Sequence, residues 1–266
     1  MTATTPPSKI GIIDSGVGGL SVLREIHRLM PTFPIHYIGD SAWCPYGNKG
    51  PEVIRDRVFY LADALLEQGA ELLVIACNSA TIHGVGALRA SYPIPVVGME
   101  PGVKPAAEKT RTGVVGVLAT EASLAGEKFH RLVTDHAEGV RVITQPCPRF
   151  VELVEAGILT GPEAEAAIDA ATVPLLSAGA DVLVLGCTHY PFLRPVIEQR
   201  IPQEVAIIDT GEAVARRVAE VMPEREEIAT GAASIQIETT GSLEELDRVL
   251  PILIPEIVAN TSASGL

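Results

Sequence analysis

Four cysteines, Cys44, Cys77, Cys147 and Cys187, are the most reactive side chains in this 266-residue sequence. Their wide spacing fits neither a disulfide-dense scaffold nor a CxxC zinc or redox motif, so reduced thiols are expected and no metal site is. Two of them share a setting. The segments Leu73-Val74-Ile75-Ala76-Cys77-Asn78 and Leu183-Val184-Leu185-Gly186-Cys187-Thr188 each place a cysteine directly after an apolar run. A cysteine lying just before a helix feels its free N–H groups, which favour the thiolate. A thiolate can take a proton and a neutral thiol can give one. Two of them on opposite faces of a substrate can therefore invert a stereocentre, one removing the α-proton while the other reprotonates the far side. A carbon beside a carboxylate is a weak acid, so buried donors in a dry cleft must stabilise the developing charge. Cys44 and Cys147 have no matching partner, and Cys147, between Pro146 and Pro148, reads as structural.

The elements that must position such a pair are legible as alternating apolar runs and helical periodicities. Strands are expected at Lys9 to Asp14, Ile35 to Asp40, Leu72 to Ala76 and Pro95 to Gly98, with helices through Leu23 to Met30 and Val53 to Gln68. The pattern then restarts with strands at Val114 to Ala119, Val140 to Thr144, Val182 to Gly186 and one ending at Asp209. Helices are expected near Leu124 to Val133, Phe150 to Gly157, Pro162 to Ala178 and after Thr210. Nearly continuous apolar strands alternating with helices predict an α/β fold with parallel sheets flanked by helices. The likeness of Gly11-Ile12-Ile13-Asp14 to Gly116-Val117-Leu118-Ala119, together with the matched cysteines, predicts two similar α/β domains sharing a cleft. The expected division is 1–98 plus 210–266 for a discontinuous first domain and 99–209 for the second. Near the end, Pro223 to Glu227 reads as a charged helix exit and Ile235 to Glu238 as a short strand. Ser242, with Glu245 three residues on, has capping-box spacing ahead of a helix.

Bulk properties narrow the partner. Lys and Arg total 20 against 33 Asp and Glu, a formal charge of -13, which disfavours nucleic acid and anionic lipid. Every strongly apolar run is short or interrupted, and Met1 to Ser8 lacks an apolar signal core and reads as a disordered lead. A small metabolite is the expected partner, and export by a standard signal is not expected.

In open α/β sheets ligands bind beyond the carboxyl ends of the strands. That rule selects Asp14-Ser15, Asp40-Ser41, Cys77-Asn78-Ser79 and Cys187-Thr188-His189. The turn Gly16-Val17-Gly18-Gly19 fails the dinucleotide fingerprint because position 21 is Ser21. It reads instead as tight entry into a helix, either with backbone N–H groups turned to a carboxylate or with no ligand. His189 can tune Cys187 or be a hydrogen-bonded surface histidine, and Glu100 falls at the crossover between halves.

With these residues in view, the chain resembles the glutamate racemases of the aspartate/glutamate racemase superfamily. The resemblance is carried by IGIIDSGVGGLSVLREI at Ile10 to Ile26, PYG at Pro45 to Gly47, VIACNSAT at Val74 to Thr81 and VGMEPG at Val97 to Gly102. It continues through VELVEAG at Val151 to Gly157, LGCTHYPFL at Leu185 to Leu193 and IIDTG at Ile207 to Gly211. It implies a cofactor-independent, metal-free two-thiol mechanism in an interdomain cleft, with D-glutamate made for peptidoglycan by a cytoplasmic homodimer. Cys77 and Cys187 would be the acid/base pair, aided by Asp14, His189 and Glu155. Asp14, Ser15, Pro45, Tyr46, Gly47, Asn78, Ser79, Thr120, Ser123 and Thr188 would bind the substrate.

Three departures bear on specificity. Trp43 follows Gly39-Asp40-Ser41-Ala42 where relatives usually read GDTAR, Ser79 replaces the usual Thr, and Glu121 sits between Thr120 and Ser123. Glu121 is expected to point outward in a first helical turn, where an acid is favourable. Alternatives are a racemase of another acidic amino acid such as aspartate, a two-domain amino-acid-binding protein without catalysis, and a single-cysteine hydrolase.

Overall fold

The computed structural model describes residues 9–222 and 234–266. Met1 to Ser8 and the charged run Pro223 to Glu227 lie outside the described residues. The strands are β1 (Lys9–Asp14), β2 (Ile35–Gly39), β3 (Ala70–Ile75), β4 (Val96–Val97), β5 (Val114–Ala119), β6 (Arg141–Pro146), β7 (Val182–Gly186) and β8 (Ala206–Ile208). Two more follow, β9 (Ile235–Thr239) and β10 (Thr261–Gly265). One six-stranded sheet has the order β10-β9-β2-β1-β3-β4, and a four-stranded sheet has the order β6-β5-β7-β8. Every pairing is parallel.

The order β2-β1-β3-β4 in the first sheet is the order β6-β5-β7-β8 in the second. The repetition read from the sequence is therefore a repetition of topology. In each unit the chain reverses its direction of growth between the first and third strands, which opens a crevice at their carboxyl ends. Asp14 and Cys77 stand at one crevice; Thr120 and Cys187 stand at the other.

Strands form where the apolar runs are buried on both faces, as along Ile10, Ile12 and Ile13 or Leu183, Val184 and Leu185. One buried cluster joins the units, since Ile12, Val74, Leu118 and Leu185 belong to it together. Phe150 and Tyr190, both fully buried, meet edge to face at 5.0 Å within it. Each such burial contributes about 1.5–3 kcal/mol.

Two elements depart from the expectation. The helix near Leu124 to Val133 is two helices, Glu121–Ala125 and Glu127–His136, because Gly126 is extended and a Cβ there would press on Ile82. β10 was not expected: Thr261-Ser262-Ala263-Ser264-Gly265 carries no apolar run, and it is a strand because β9 offers an edge. Ser242 caps the helix Leu243–Leu253, its Oγ accepting the Glu245 N–H at 3.3 Å. Among the described residues no helix is long and apolar enough to cross a membrane.

Candidate active site

Cys77 ends the β3 segment and caps the helix Asn78–Ser91, its sulfur accepting the Ala80 N–H at 3.5 Å. The thiol points to Ser15 Oγ at 3.7 Å. Burial pushes the Cys77 thiol up to about 12, and the nearby Asp14 carboxylate acts in the same direction. This sulfur therefore rests as a neutral thiol.

Asp14 is fully buried, and burial raises its carboxyl above the usual range while the charge of His189 opposes the shift. Its Oδ2 accepts the Gly16 and Gly19 N–H groups at 3.2 and 2.9 Å and faces the Tyr37 hydroxyl at 3.4 Å. Its Oδ1 has no partner among the described residues. The glycine turn thus directs its N–H groups to carboxylates of the protein itself. Val17 N–H completes the set by donating to Glu155 Oε1 at 2.9 Å.

Cys187 follows β7, but unlike Cys77 it does not directly precede an α-helix. A 3-10 turn, Tyr190–Leu193, comes first, and the α-helix Arg194–Arg200 begins seven residues beyond the cysteine. The axial field that Cys77 receives from its helix is replaced at Cys187 by a side chain. His189 Nδ1 lies 3.6 Å from Cys187 Sγ, and His189 Nε2 lies 2.7 Å from Glu155 Oε1. The imidazole is 2% exposed, so the surface-histidine reading is excluded. Burial opposes its charge, yet Cys187, Cys44 and Glu155 together raise its pKa well above the ordinary value. An imidazolium at this distance is the partner an anionic sulfur needs. For Glu155 burial works upward, and the hydrogen bond and charge of His189 prevail to lower the carboxyl.

The remaining expected residues gather around the same space. A cavity of about 10 Å³ is lined by Ser15, Pro45, Tyr46, Gly47, Cys77 and Asn78 on one side. Ser79, Thr120, Cys187, Thr188 and His189 line it too, with Val151. Ser79 Oγ meets Thr120 Oγ1 at 3.1 Å and Ser123 Oγ at 3.4 Å, and Thr120 Oγ1 donates to Ser123 Oγ at 2.9 Å. These three hydroxyls bridge the two units. Both amide atoms of buried Asn78 lack a hydrogen-bond partner among the described residues. An unpaired buried amide costs about 1–3 kcal/mol, which a bound polar ligand would offset.

Tyr46 lines the cavity, and its hydroxyl donates to Asp40 Oδ2 at 2.5 Å. Gly47 is required for close approach, since a Cβ would lie 2.9 Å from the Thr120 Cβ across the cleft. Thr188 is buried and its carbonyl accepts the Ser21 hydroxyl at 2.8 Å. Glu121 is exposed in the first turn of its helix, as expected. Glu100 pairs with Lys128 at the surface, 2.7 Å apart. Cys147 is buried, its thiol donating to the Gln145 carbonyl at 3.3 Å, in keeping with a structural role.

Sequence reasoning missed Val151 and Cys44. Val151 lies within the VELVEAG segment, one face of a helix whose last residue is Glu155, so its spacing carried a signal. Cys44 donates to Glu155 Oε1 at 3.3 Å, and nothing in its sequence neighbourhood announces that contact.

Residues 10–218 match the family of Asp/Glu/hydantoin racemases. The chain belongs to that family. It is 52% identical over 246 residues to the glutamate racemase of Pseudomonas entomophila, covering 92% of this chain and 93% of the relative. It is also 50% identical over 246 residues to the glutamate racemase of Pseudomonas aeruginosa, with the same coverage. The crystal structure of Escherichia coli glutamate racemase, in complex with L-glutamate and the activator UDP-MurNAc-ala, superposes with a TM-score of 0.86. That protein is 31% identical, and 98% of each chain is covered. A glutamate racemase from Thermus thermophilus, solved with beta-chloro-D-alanine, is 32% identical, with a TM-score of 0.81 over 99% of each chain. The two-sheet architecture of this racemase-family chain is thus shared along nearly its whole length.

Proposed function

We propose that the chain interconverts L-glutamate and D-glutamate without a cofactor, by proton transfer between two thiols, and so supplies D-glutamate for peptidoglycan synthesis. The observation that carries the reading is the shared cavity of Cys77 and Cys187, each delivered by the third strand of a like unit. The substrate α-carbon sits between the sulfurs. Cys187, beside the His189 imidazolium, acts as the thiolate and takes the α-proton. Cys77, held neutral by burial, then gives its proton to the opposite face of the carbanion. The electron pair left on the α-carbon spreads into the α-carboxylate, where Asn78 and Thr188 are placed to donate. In the reverse direction the roles exchange.

Asp14 Oδ1, buried and unpaired, suits the substrate ammonium. The Ser79, Thr120 and Ser123 hydroxyls, bonded to one another across the cleft, suit the distal carboxylate. A cavity of about 10 Å³ holds one water at most, so substrate enters when the units separate and reacts when they close. The chain divides, on this reading, into 1–98 plus 210–266 and 99–209, in keeping with the membership of the two sheets.

The test is exchange of the α-proton in deuterated water, followed by chiral analysis. Wild type should convert either glutamate enantiomer and place solvent deuterium mainly in the product. Cys77→Ser and Cys187→Ser should each lower turnover by about 10²–10⁴-fold or more. Conversion of L-aspartate with none of L-glutamate would overturn the substrate, and full turnover in either variant would overturn the mechanism.

A further inference from the structure

Cys44, Glu155 and His189 bring a sulfur, a carboxylate oxygen and an imidazole nitrogen within 4.8 Å of one another. We infer that these three side chains form a binding site for a borderline-soft divalent cation of the zinc type, and that the bound ion staples the two units together over the closed cleft.

The donor set is the first argument. Thiolate, imidazole and carboxylate together are the ligands that zinc takes at about 2.0–2.3 Å, in a tetrahedral shell whose fourth position is left to water. Ligand atoms at those radii stand about 3.3–3.6 Å apart. The Cys44 Sγ to Glu155 Oε1 separation is already 3.3 Å. His189 Nε2 and Glu155 Oε1, at 2.7 Å, need to part by roughly half an ångström as metal bonds replace their hydrogen bond.

Access is the second argument. Cys44 and Glu155 line a cleft of about 400 Å³ that adjoins the cavity between the thiols, the two sharing Pro45 and Val151, so an ion reaches these two ligands from the cleft and His189 from the cavity side. Binding is an exchange with no change in oxidation state. The Cys44 thiol loses its proton to form the metal–sulfur bond, the His189 imidazolium loses its Nε2 proton to form the metal–nitrogen bond, and both protons leave to solvent. The Nδ1 side of the ring still faces Cys187 at 3.6 Å.

The consequence follows from where the ligands originate. Cys44 lies in the loop after β2 in the first sheet's unit, whereas Glu155 and His189 belong to the unit of β5 to β8. An ion held by all three therefore links the units while the reaction cavity is shut to about 10 Å³. The inhibitory part of this inference rests on the racemase reading above; the binding part does not.

The probe is cobalt(II) added to the metal-free, fully reduced protein. Wild type should develop a thiolate-to-cobalt absorption band and the visible bands of a tetrahedral ion at one equivalent. Cys44→Ala, and Cys44→Ser, which keeps the size and a hydrogen-bonding group, should lose the thiolate band; Cys77→Ser should keep it. Zinc should then depress racemisation by wild type at least tenfold at a concentration that leaves Cys44→Ala unaffected, and a chelator should restore it. A cobalt spectrum unchanged in Cys44→Ala, or abolished by Cys77→Ser alone, overturns the site. The expected spectrum in a protein whose metal-free form racemises nothing leaves the site standing and removes the function. Normal racemisation without the spectrum does the reverse.

Discussion

Glu155 Oε1 accepts from His189 Nε2 at 2.7 Å while the same oxygen takes the Val17 N–H at 2.9 Å. One carboxylate oxygen thus fixes both the imidazole beside Cys187 and the glycine turn beside Asp14. Charge-assisted bonds of this kind are roughly twice as strong as neutral ones, and the one from Val17 spans the two units.

Glu155→Gln keeps the size and removes the charge. We expect kcat to fall about 10–100-fold, since proton transfer through a positioned acid/base group is worth about 10²–10⁴-fold and the group itself remains. KM should change little, because Glu155 is absent from the lining of the reaction cavity. Steady-state kinetics in both directions checks this; a rise in KM with kcat intact would mean that Glu155 binds substrate instead.

Thr120→Val removes a hydroxyl that bonds both Ser79 and Ser123. A hydrogen bond to a charged group is worth about 1.5–3 kcal/mol, so KM for glutamate should rise roughly 10–150-fold. Circular dichroism should show the fold retained. Equal losses for glutamate and for an amino acid lacking the distal carboxylate would place this hydroxyl elsewhere in the mechanism.

Arg57→Leu tests how Tyr46 is held. Arg57 grips buried Asp40 through Nε at 2.9 Å and Nη2 at 2.7 Å, and the Tyr46 and Thr240 hydroxyls bond the same carboxylate. Removing one partner of a buried pair costs about 3–5 kcal/mol. Arg57 is part-exposed, and the two hydroxyls remain, so a loss near about 3 kcal/mol is expected in a denaturant titration. An unchanged midpoint would show that the hydroxyls alone satisfy Asp40.

His36 gives the stability a pH dependence. It is fully buried, and burial lowers its pKa, with Glu238 opposing and Lys9 assisting the shift. Its Nε2 lies 3.3 Å from Glu238 Oε2 without hydrogen-bond alignment. Below about pH 6.5 the unfolded imidazole binds a proton that the folded one resists. Stability should therefore fall as pH drops from 6.5 toward the depressed folded value, and the melting temperature of His36→Gln should fall less over that window. Parallel melting curves from pH 7 to 5 for the two proteins would count against His36 as the source.

The sheets and the thiol pair were legible in the sequence because buried parallel strands are continuous apolar runs, and Cys77 and Cys187 end two of them. Three features were not. β10 has no apolar signature, and its strand conformation is imposed by a neighbouring edge. The 3-10 turn after Cys187 was hidden because Tyr190-Pro191-Phe192-Leu193 has the apolar content of a helix start. Tyr46 was expected at the substrate, but only tertiary contact reveals that Asp40 engages its hydroxyl.

The sheet order also says something about synthesis on the ribosome. β9 inserts between β2 and β10, so β2 remains an open edge until Ile235 to Thr239 have been made. The strands β5 to β8 come from one contiguous stretch and can close their sheet first. At roughly 5–20 residues per second, the wait between Val97 and Ile235 is on the order of ten seconds. Through that interval the nascent chain carries Cys77, one of the two thiols proposed to act on substrate, on an unfinished scaffold, with an unpaired strand edge that invites association with other chains.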